Sequence, residues 1–310
     1  MPVSDQDFAK PLAALLNARS YRGKIVSVAR VKALETEIMT RCGKGLLHPE
    51  LYKAYLASFD FTCHRKFKDA HSLIVVSAPQ PQIQVTFIRK EKPFRVIIPP
   101  TYSFDTDNDV ENILNAYFEP QGYQLKKVRL PEKLLAVHSG LAKYGKNNLT
   151  YVNGMGSFHR LVVFISNVPC AQDGWREPSV LDQCQDCQAC AKACPTDAIG
   201  SDRFQLHAER CLTFHNERPN DFPEWLSPAW HNSLVGCMIC QKACPANKEV
   251  IKWIATGPTF SVEETGHILN SVSGERLPQE ITEKLKTQGI MEYDSVLARN
   301  LRALIEKPGQ

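Results

Sequence analysis

The spacing of cysteines constrains this chain more than any other feature. Cys184, Cys187, Cys190 and Cys194 stand as C-x2-C-x2-C-x3-C, and Pro195 follows. Cys237, Cys240 and Cys244 repeat the last three positions of that run, again followed by a proline, Pro245. Cys211, between the two sets, supplies the missing eighth member. Three closely spaced thiolates can take three corners of one iron–sulfur cube, while the fourth, one helical turn on, points to a second cube. The spacing therefore assigns Cys184, Cys187, Cys190 and Cys244 to one 4Fe–4S cluster. Cys194, Cys211, Cys237 and Cys240 are left to hold the other. Exchanging the fourth ligand in this way sets the clusters close together, as electron transfer requires. Structural zinc favours paired C-x2-C units and often recruits His, a poorer match to eight cysteines with two Cys-Pro endings. Cys42, Cys63 and Cys170 remain, and they read as small buried hydrophobes.

Metal is also the cheaper reading of eleven cysteines in a reducing compartment. The first residues lack the basic and apolar regions of a secretory signal, which predicts a cytoplasmic address. No run of 18 apolar residues occurs, so no membrane span is expected. The formal charge of +4 counts thiols as neutral. Two clusters, each about −2 with its thiolates, would bring the chain near neutrality, so the basic balance does not argue for nucleic acid.

Periodicity divides the rest. Residues 25–28, 73–77, 85–88, 94–98 and 161–165 are β-branched apolar runs that read as strands, with 73–98 supplying neighbours in one sheet. Residues 31–41 and 110–118 have helical spacing, and Pro131 opens a further helix. From Pro169 the β-branched runs give way to Cys, Pro and Gln. After Gly257 the pattern is helical, with a capping box at Ser261 and Glu264 and an amphipathic stretch over 296–305. The expectation is an α+β protein: an α/β domain over 1–168, a ferredoxin-like double-cluster domain over 169–256, and a helical tail over 257–310 that packs back on the body.

The run from Ala136 to Asn148, followed by the stretch from Gly154 to Phe158, resembles two motifs of the epoxyqueuosine reductases, A-x-x-x-G-L-G-x-x-G-K-N and G-S-W/F. Those are cobalamin-dependent iron–sulfur proteins related to reductive dehalogenases. The eight-cysteine layout resembles theirs too, and the likeness runs in order from about residue 65 to 250. It implies a nitroreductase-like corrinoid-binding domain ahead of the clusters. It also implies cofactor contacts at Gly140, Leu141, Gly145, Lys146, Asn147, Asn148, Gly154, Gly156 and Ser157, with Asn216 as a further candidate. Without the resemblance, residues 140–148 read as a helix C-cap and turn. Asp69-Ala-His71 lacks the glycine of a cobalt-ligating histidine motif, and the family binds its corrinoid without one.

One departure bears on chemistry. Where the family places an aspartate proton donor, this chain has Lys126, and no acidic residue follows until Glu132. Lys126 and Tyr102 are the catalytic candidates, since either can deliver a proton when its surroundings tune its pKa. The leading expectation is a corrinoid-dependent iron–sulfur oxidoreductase that cleaves a C–O or C–heteroatom bond with electrons relayed through the clusters to cobalt. The alternatives are an electron-transfer or corrinoid-reducing protein without substrate chemistry, and a true tRNA epoxyqueuosine reductase with a relocated donor. Expected partners are a low-potential donor such as ferredoxin or flavodoxin, and a small-molecule substrate or corrinoid protein. Binding to tRNA is disfavoured because no dense basic stripe is present and the tail has room for about one helical repeat.

Overall fold

The computed structural model describes residues 7–201, 203–271 and 276–306. In chain order its first elements are α1 (Ala9–Asn17), β1 (Arg22–Ser27), α2 (Arg30–Gly43), α3 (Pro49–Ala54), α4 (Cys63–Lys66) and β2 (Ser72–Pro79). Next come β3 (Gln82–Arg89), β4 (Lys92–Ile98), α5 (Asp105–Phe118), β5 (Leu125–Lys127), α6 (Glu132–His138), β6 (Lys143–Tyr144), β7 (Thr150–Tyr151) and β8 (His159–Ser166). The remainder are α7 (Ala189–Ala193), α8 (Leu212–Asn216), α9 (Ile239–Lys242), β9 (Ile254–Phe260), α10 (Val262–Asn270), α11 (Gln279–Thr287) and α12 (Asp294–Ile305). These fall into two compact units, one of residues 1–79 and 105–187 and one of residues 80–104 and 188–310.

The first unit is built on an antiparallel sheet in the order β1-β2-β8-β5. Its central pair is in register with Ile74 opposite Phe164 and Ser72 opposite Ser166. Because strand side chains alternate, Ile74, Val76, Val162 and Phe164 share one face. That face is sealed by Phe8, Leu12 and Leu16, spaced for one side of α1, and by Val110, Leu114 and Phe118 of α5. Helix α6 packs on β2 and β8. Both faces are thus covered, which is why β2 reads as an unbroken apolar run rather than an alternating one.

The second unit holds a sheet in the order β4-β3-β9, with β3 antiparallel to β4 and parallel to β9. This corrects the expectation that residues 73–98 supply a single sheet. Strand β2 lies in the first sheet, and the β3–β4 hairpin lies in the second. Gly257, expected to begin the helical tail, sits instead inside β9. A Cβ there would meet Ile83 Cγ2 at 2.8 Å and Val85 Cγ1 at 2.9 Å, so the close approach of β9 to β3 requires glycine. Phe87 stacks on Phe260 at 4.8 Å, and these strands share one core with Ile268, Ile281, Leu285, Leu297, Leu301 and Leu304 of the last three helices. The tail therefore packs as expected, and the Ser261–Glu264 capping box forms. The compact units cut across a division at residues 168 and 256, because 80–104 join the unit that carries six of the eight motif cysteines and 169–187 stay with the first.

Candidate metal centre

In the second unit the cysteines are delivered by very short elements. Cys190 lies in α7, and Cys194 ends that helix with extended backbone before Pro195. Cys211 is the N-cap residue of α8. Cys240 lies in α9, which packs beside α7, and Cys237 precedes it. The folding brings Cys194, Cys211, Cys237 and Cys240, from three separate stretches of chain, within electrostatic reach of one another, with Cys190 near Cys240. Burial raises all three of Cys211, Cys237 and Cys240, and neighbouring thiols add to it; Cys237 is pushed up to about 11. Buried thiols raised in this way, Cys211, Cys237 and Cys240, stay protonated unless a cationic core opposes their charge, so the donor set suits an iron–sulfur cube. Among the described residues, no three His, Cys, Asp or Glu side chains converge on a point that a single metal ion could fill. A zinc ion draws its sulfurs to about 2.3 Å from one centre, whereas a cube holds each thiolate on its own iron.

Polar side chains fasten these segments. Asn232 donates from Nδ2 to Cys237 Sγ at 3.3 Å, and its Oδ1 accepts from Met238 N at 2.8 Å. Cys194 Sγ lies 3.4 Å from Thr196 Oγ1. Asn247 donates to Gln241 O at 2.9 Å beside Cys244. Sequence reasoning missed Asn232, because an asparagine in a loop carries no pattern.

Cys184 and Cys187 belong to the first unit. Their approach is set by residues 173–181. Trp175 stacks on His138 at 4.2 Å with Arg30 over its other side at 5.3 Å, and Arg30 pairs with Asp173 at 2.7 Å. Tyr144 then exchanges backbone bonds with Ser179 and Leu181. Lys143 pairs with Asp182 at 3.0 Å, and Lys146 Nζ donates to Gln185 O at 3.3 Å and Cys187 O at 3.5 Å. His138 Nδ1 meets Arg176 O at 2.7 Å while Nε2 meets Glu37 at 2.7 Å. A carbonyl and a carboxylate are acceptors, so these partners favour the imidazolium; burial opposes the charge, but the bonds to Glu37 and Arg176 O raise the His138 pKa.

The glycine-rich run is largely absorbed by the chain itself. Gly140 has φ +70° and lies under the Arg176 guanidinium, which occupies the space of a Cβ. Gly145 lies under Tyr151 in the same way, and Asn147 Nδ2 donates to Tyr151 Oη at 2.9 Å. Asn148 sits in a left-handed turn at φ +60°. Leu141 N donates to Ser139 Oγ at 3.4 Å. Gly154 has open space where a Cβ would stand. Gly156 O accepts from His159 Nδ1 at 3.1 Å, and Thr150 Oγ1 lies 3.0 Å from His159 Nε2. Burial pushes His159 down to about 4, so it is neutral and holds the turn that carries Ser157. In the second unit Asn216 is fully buried; its Nδ2 donates to Gly236 O at 2.7 Å, and its Oδ1 has no hydrogen-bond partner.

Lys126 is exposed in β5, opposite Ile165. Tyr102 gives its hydroxyl proton to the Glu217 carboxylate, over Gly236, whose φ of +62° and missing Cβ leave room for it. Burial and then the Glu217 charge raise Tyr102 well above the usual phenol range, so it releases a proton reluctantly. Glu132 behaves differently. Burial lifts it to about 7, beside Arg160 of β8, Asp107 of α5, and Lys133 and Arg129 nearby. Asp107 itself is buried and held by Arg160 Nη2 at 3.0 Å and Lys127 at 3.4 Å. Cys63 is buried as expected, but Cys42 and Cys170 are only partly so, since Cys42 lies in the last turn of an amphipathic helix and Cys170 in a loop.

Residues 183–247 match the 4Fe–4S double cluster binding domain. An epoxyqueuosine reductase from Leadbetterella byssophila is 33% identical over 96 residues, covering 29% of this chain and 30% of that protein. A tetrachloroethene reductive dehalogenase from Desulfitobacterium hafniense is 32% identical over 84 residues, 26% of this chain and 15% of its own. A structure of the Bacillus subtilis epoxyqueuosine reductase, with its catalytic aspartate loop swung out of the active site, superposes with a TM-score of 0.67 and 18% identity over 96% of this chain and 81% of its own. A crystal structure of epoxyqueuosine reductase with an epoxyqueuosine-modified tRNA-Tyr stem loop gives 0.67 and 17% over the same shares. This chain shares the fold of the epoxyqueuosine reductases and resembles them in sequence over less than a third of its length. The aligned stretch spans less than a third of either curated relative.

Proposed function

We propose that this chain belongs with the epoxyqueuosine reductases and is an iron–sulfur oxidoreductase that relays electrons through two 4Fe–4S clusters to a corrinoid for reductive cleavage of a C–O or C–heteroatom bond. The observation that carries the reading is the gathering of Cys194, Cys211, Cys237 and Cys240 from three stretches of chain in the second unit. Cys184, Cys187, Cys190 and Cys244 would hold the other cluster. Bound corrinoid would supply a strongly nucleophilic low-valent cobalt. The chain's own part is to bring ligands to the irons, shield them from water and supply a proton. Support for the corrinoid comes from the resemblance to the epoxyqueuosine reductases and, in the second unit, from the unpaired Asn216 Oδ1. Lys146 and Asn147 are already engaged within the chain and would act by shaping the loop. A nitroreductase-like arrangement of the first domain belongs to the same proposal, as does a low-potential ferredoxin or flavodoxin donor.

The reading is tested by anaerobic purification, with iron, sulfide and corrinoid analysis. Eight irons and eight sulfides per chain are expected, together with binding of added cob(II)alamin that shows no nitrogen splitting in its EPR spectrum. A protein without iron, or with a single metal ion per chain, defeats it. Two observations favour a second reading, electron transfer or corrinoid reduction without substrate chemistry: Lys126 is exposed, and Tyr102 is tied to Glu217. Reduced, cobalamin-loaded protein offered epoxyqueuosine-containing tRNA separates the two. Slow or no conversion is expected, since a missing general acid typically costs about 10²–10⁴ in rate. Rapid turnover would make tRNA the substrate, with Glu132 the first acid to replace.

A further inference from the structure

We infer that the last helix of the chain is part of the cluster-holding machinery, with Asn300 and Arg299 positioning the two segments that deliver Cys211 and Cys237. The inference rests on the cluster reading above and concerns residues outside every cysteine motif. Helix α12 turns an apolar face inward, with Val296, Leu297, Leu301 and Leu304 all buried. Asn300 is fully buried on the same face, where a leucine would be the ordinary choice. A buried amide is costly unless its bonds are made, and all of them are. Nδ2 donates to Asn216 O at 2.8 Å and to Leu234 O at 2.9 Å. Oδ1 accepts from Arg299 Nε at 3.2 Å and Nη2 at 3.0 Å.

Those acceptors identify what the amide is for. Asn216 and His215 end α8, whose first residue follows Cys211, and last-turn carbonyls have no partner within a helix. Asn300 takes the first, and Arg299 Nη2 takes His215 O at 2.8 Å, while Nη1 reaches Asn220 O. Leu234 lies on the approach to Cys237 and donates its N–H to Ile97 O at 2.8 Å. Asn216 completes the tie by donating to Gly236 O, directly before Cys237. A five-residue helix cannot hold itself in place. One asparagine from the far end of the chain therefore sets the spacing between two cysteines that share no local motif.

The test uses the full chain, reconstituted anaerobically with iron and sulfide beside Asn300→Leu and Arg299→Ala. Wild type is expected to hold about eight irons and, once reduced, about two spins per chain. Asn300→Leu keeps the apolar face but removes the amide donor from the Asn216 and Leu234 carbonyls; it is expected to retain its helical circular dichroism and to lose about half the iron and one of the two spins. Arg299→Ala leaves the core face of α12 intact and is expected to lose iron to a chelator severalfold faster than wild type, from one cluster only. Should Asn300→Leu fail to fold, the chelation rate of Arg299→Ala decides. Unchanged iron, spectrum and chelation rate overturn the inference, as does equal loss from both clusters, which marks a general folding defect. Wild type without clusters overturns the underlying reading as well.

Discussion

The sheet of the first unit and the cysteine segment of the second are held together by different means. Strands β2 and β8 run eight residues each, satisfy one another's backbone groups and bury apolar side chains on both faces. The segment from Cys190 to Cys244 has helices of four or five residues, few buried aliphatics and a set of asparagine bonds to backbone. Isolated helices so short are unstable, and the segment buries too little to make up the difference. In the sheet, burial stabilises. In the cysteine segment the ligand must.

That contrast is sharpest under iron removal. Chelation under anaerobic conditions is expected to open residues 188–253 to amide exchange by several kcal/mol while β2 and β8 stay protected. Exchange of both regions together would break the comparison. The converse change is Phe164→Ala, in the middle of β8 and fully buried. It should cost about 3–5 kcal/mol of stability in the first unit and leave iron content per folded chain unchanged.

Smaller effects come from the ionisable groups of the first unit. Glu132 has a raised pKa in the fold, so the folded state binds its proton more tightly, and stability falls as pH rises from about 4.5 through about 7. Glu132→Gln should therefore gain on the order of 1–2 kcal/mol at pH 8 and nothing at pH 4, measured by urea unfolding. His138 is opposed by burial, but its bonds to Glu37 and Arg176 outweigh that and raise its pKa. Its contribution is complete below about 6.5 and is lost as pH rises through the folded value; the matching contribution of Glu37, lowered chiefly by His138, is lost on acidification below its ordinary 4.5. His138→Gln should thus cost about 1 kcal/mol between pH 5 and 6.5 and less above. A loss that is flat with pH would mean that His138 acts by stacking on Trp175 alone. The smallest effect lies back in the cysteine segment. Asn232→Leu removes a donor from Cys237 Sγ and should make the midpoint potential more negative by tens of millivolts, since such a bond is worth about 1 kcal/mol more to the reduced cluster. An unchanged potential would show that Asn232 serves only the backbone of Met238.

The sequence by itself determined what is written locally. Cysteine spacing, the helices over 30–43 and 105–118, the Ser261–Glu264 cap and the apolar strands were all legible, because each rests on neighbours within one turn or one pleat. The tertiary structure decided what depends on partners far along the chain. Alternation in residues 82–98 suits either sheet, and only the parallel pairing of β3 with β9, close across Gly257, assigns the hairpin to the second unit. Lys146 and Asn147 look equally available in a motif, yet the fold spends one on the carbonyls of Gln185 and Cys187 and the other on Tyr151. Asn300 gives no signal at all in the sequence. Its meaning comes from two carbonyls of buried residues, 84 and 66 residues away, to which its amide donates.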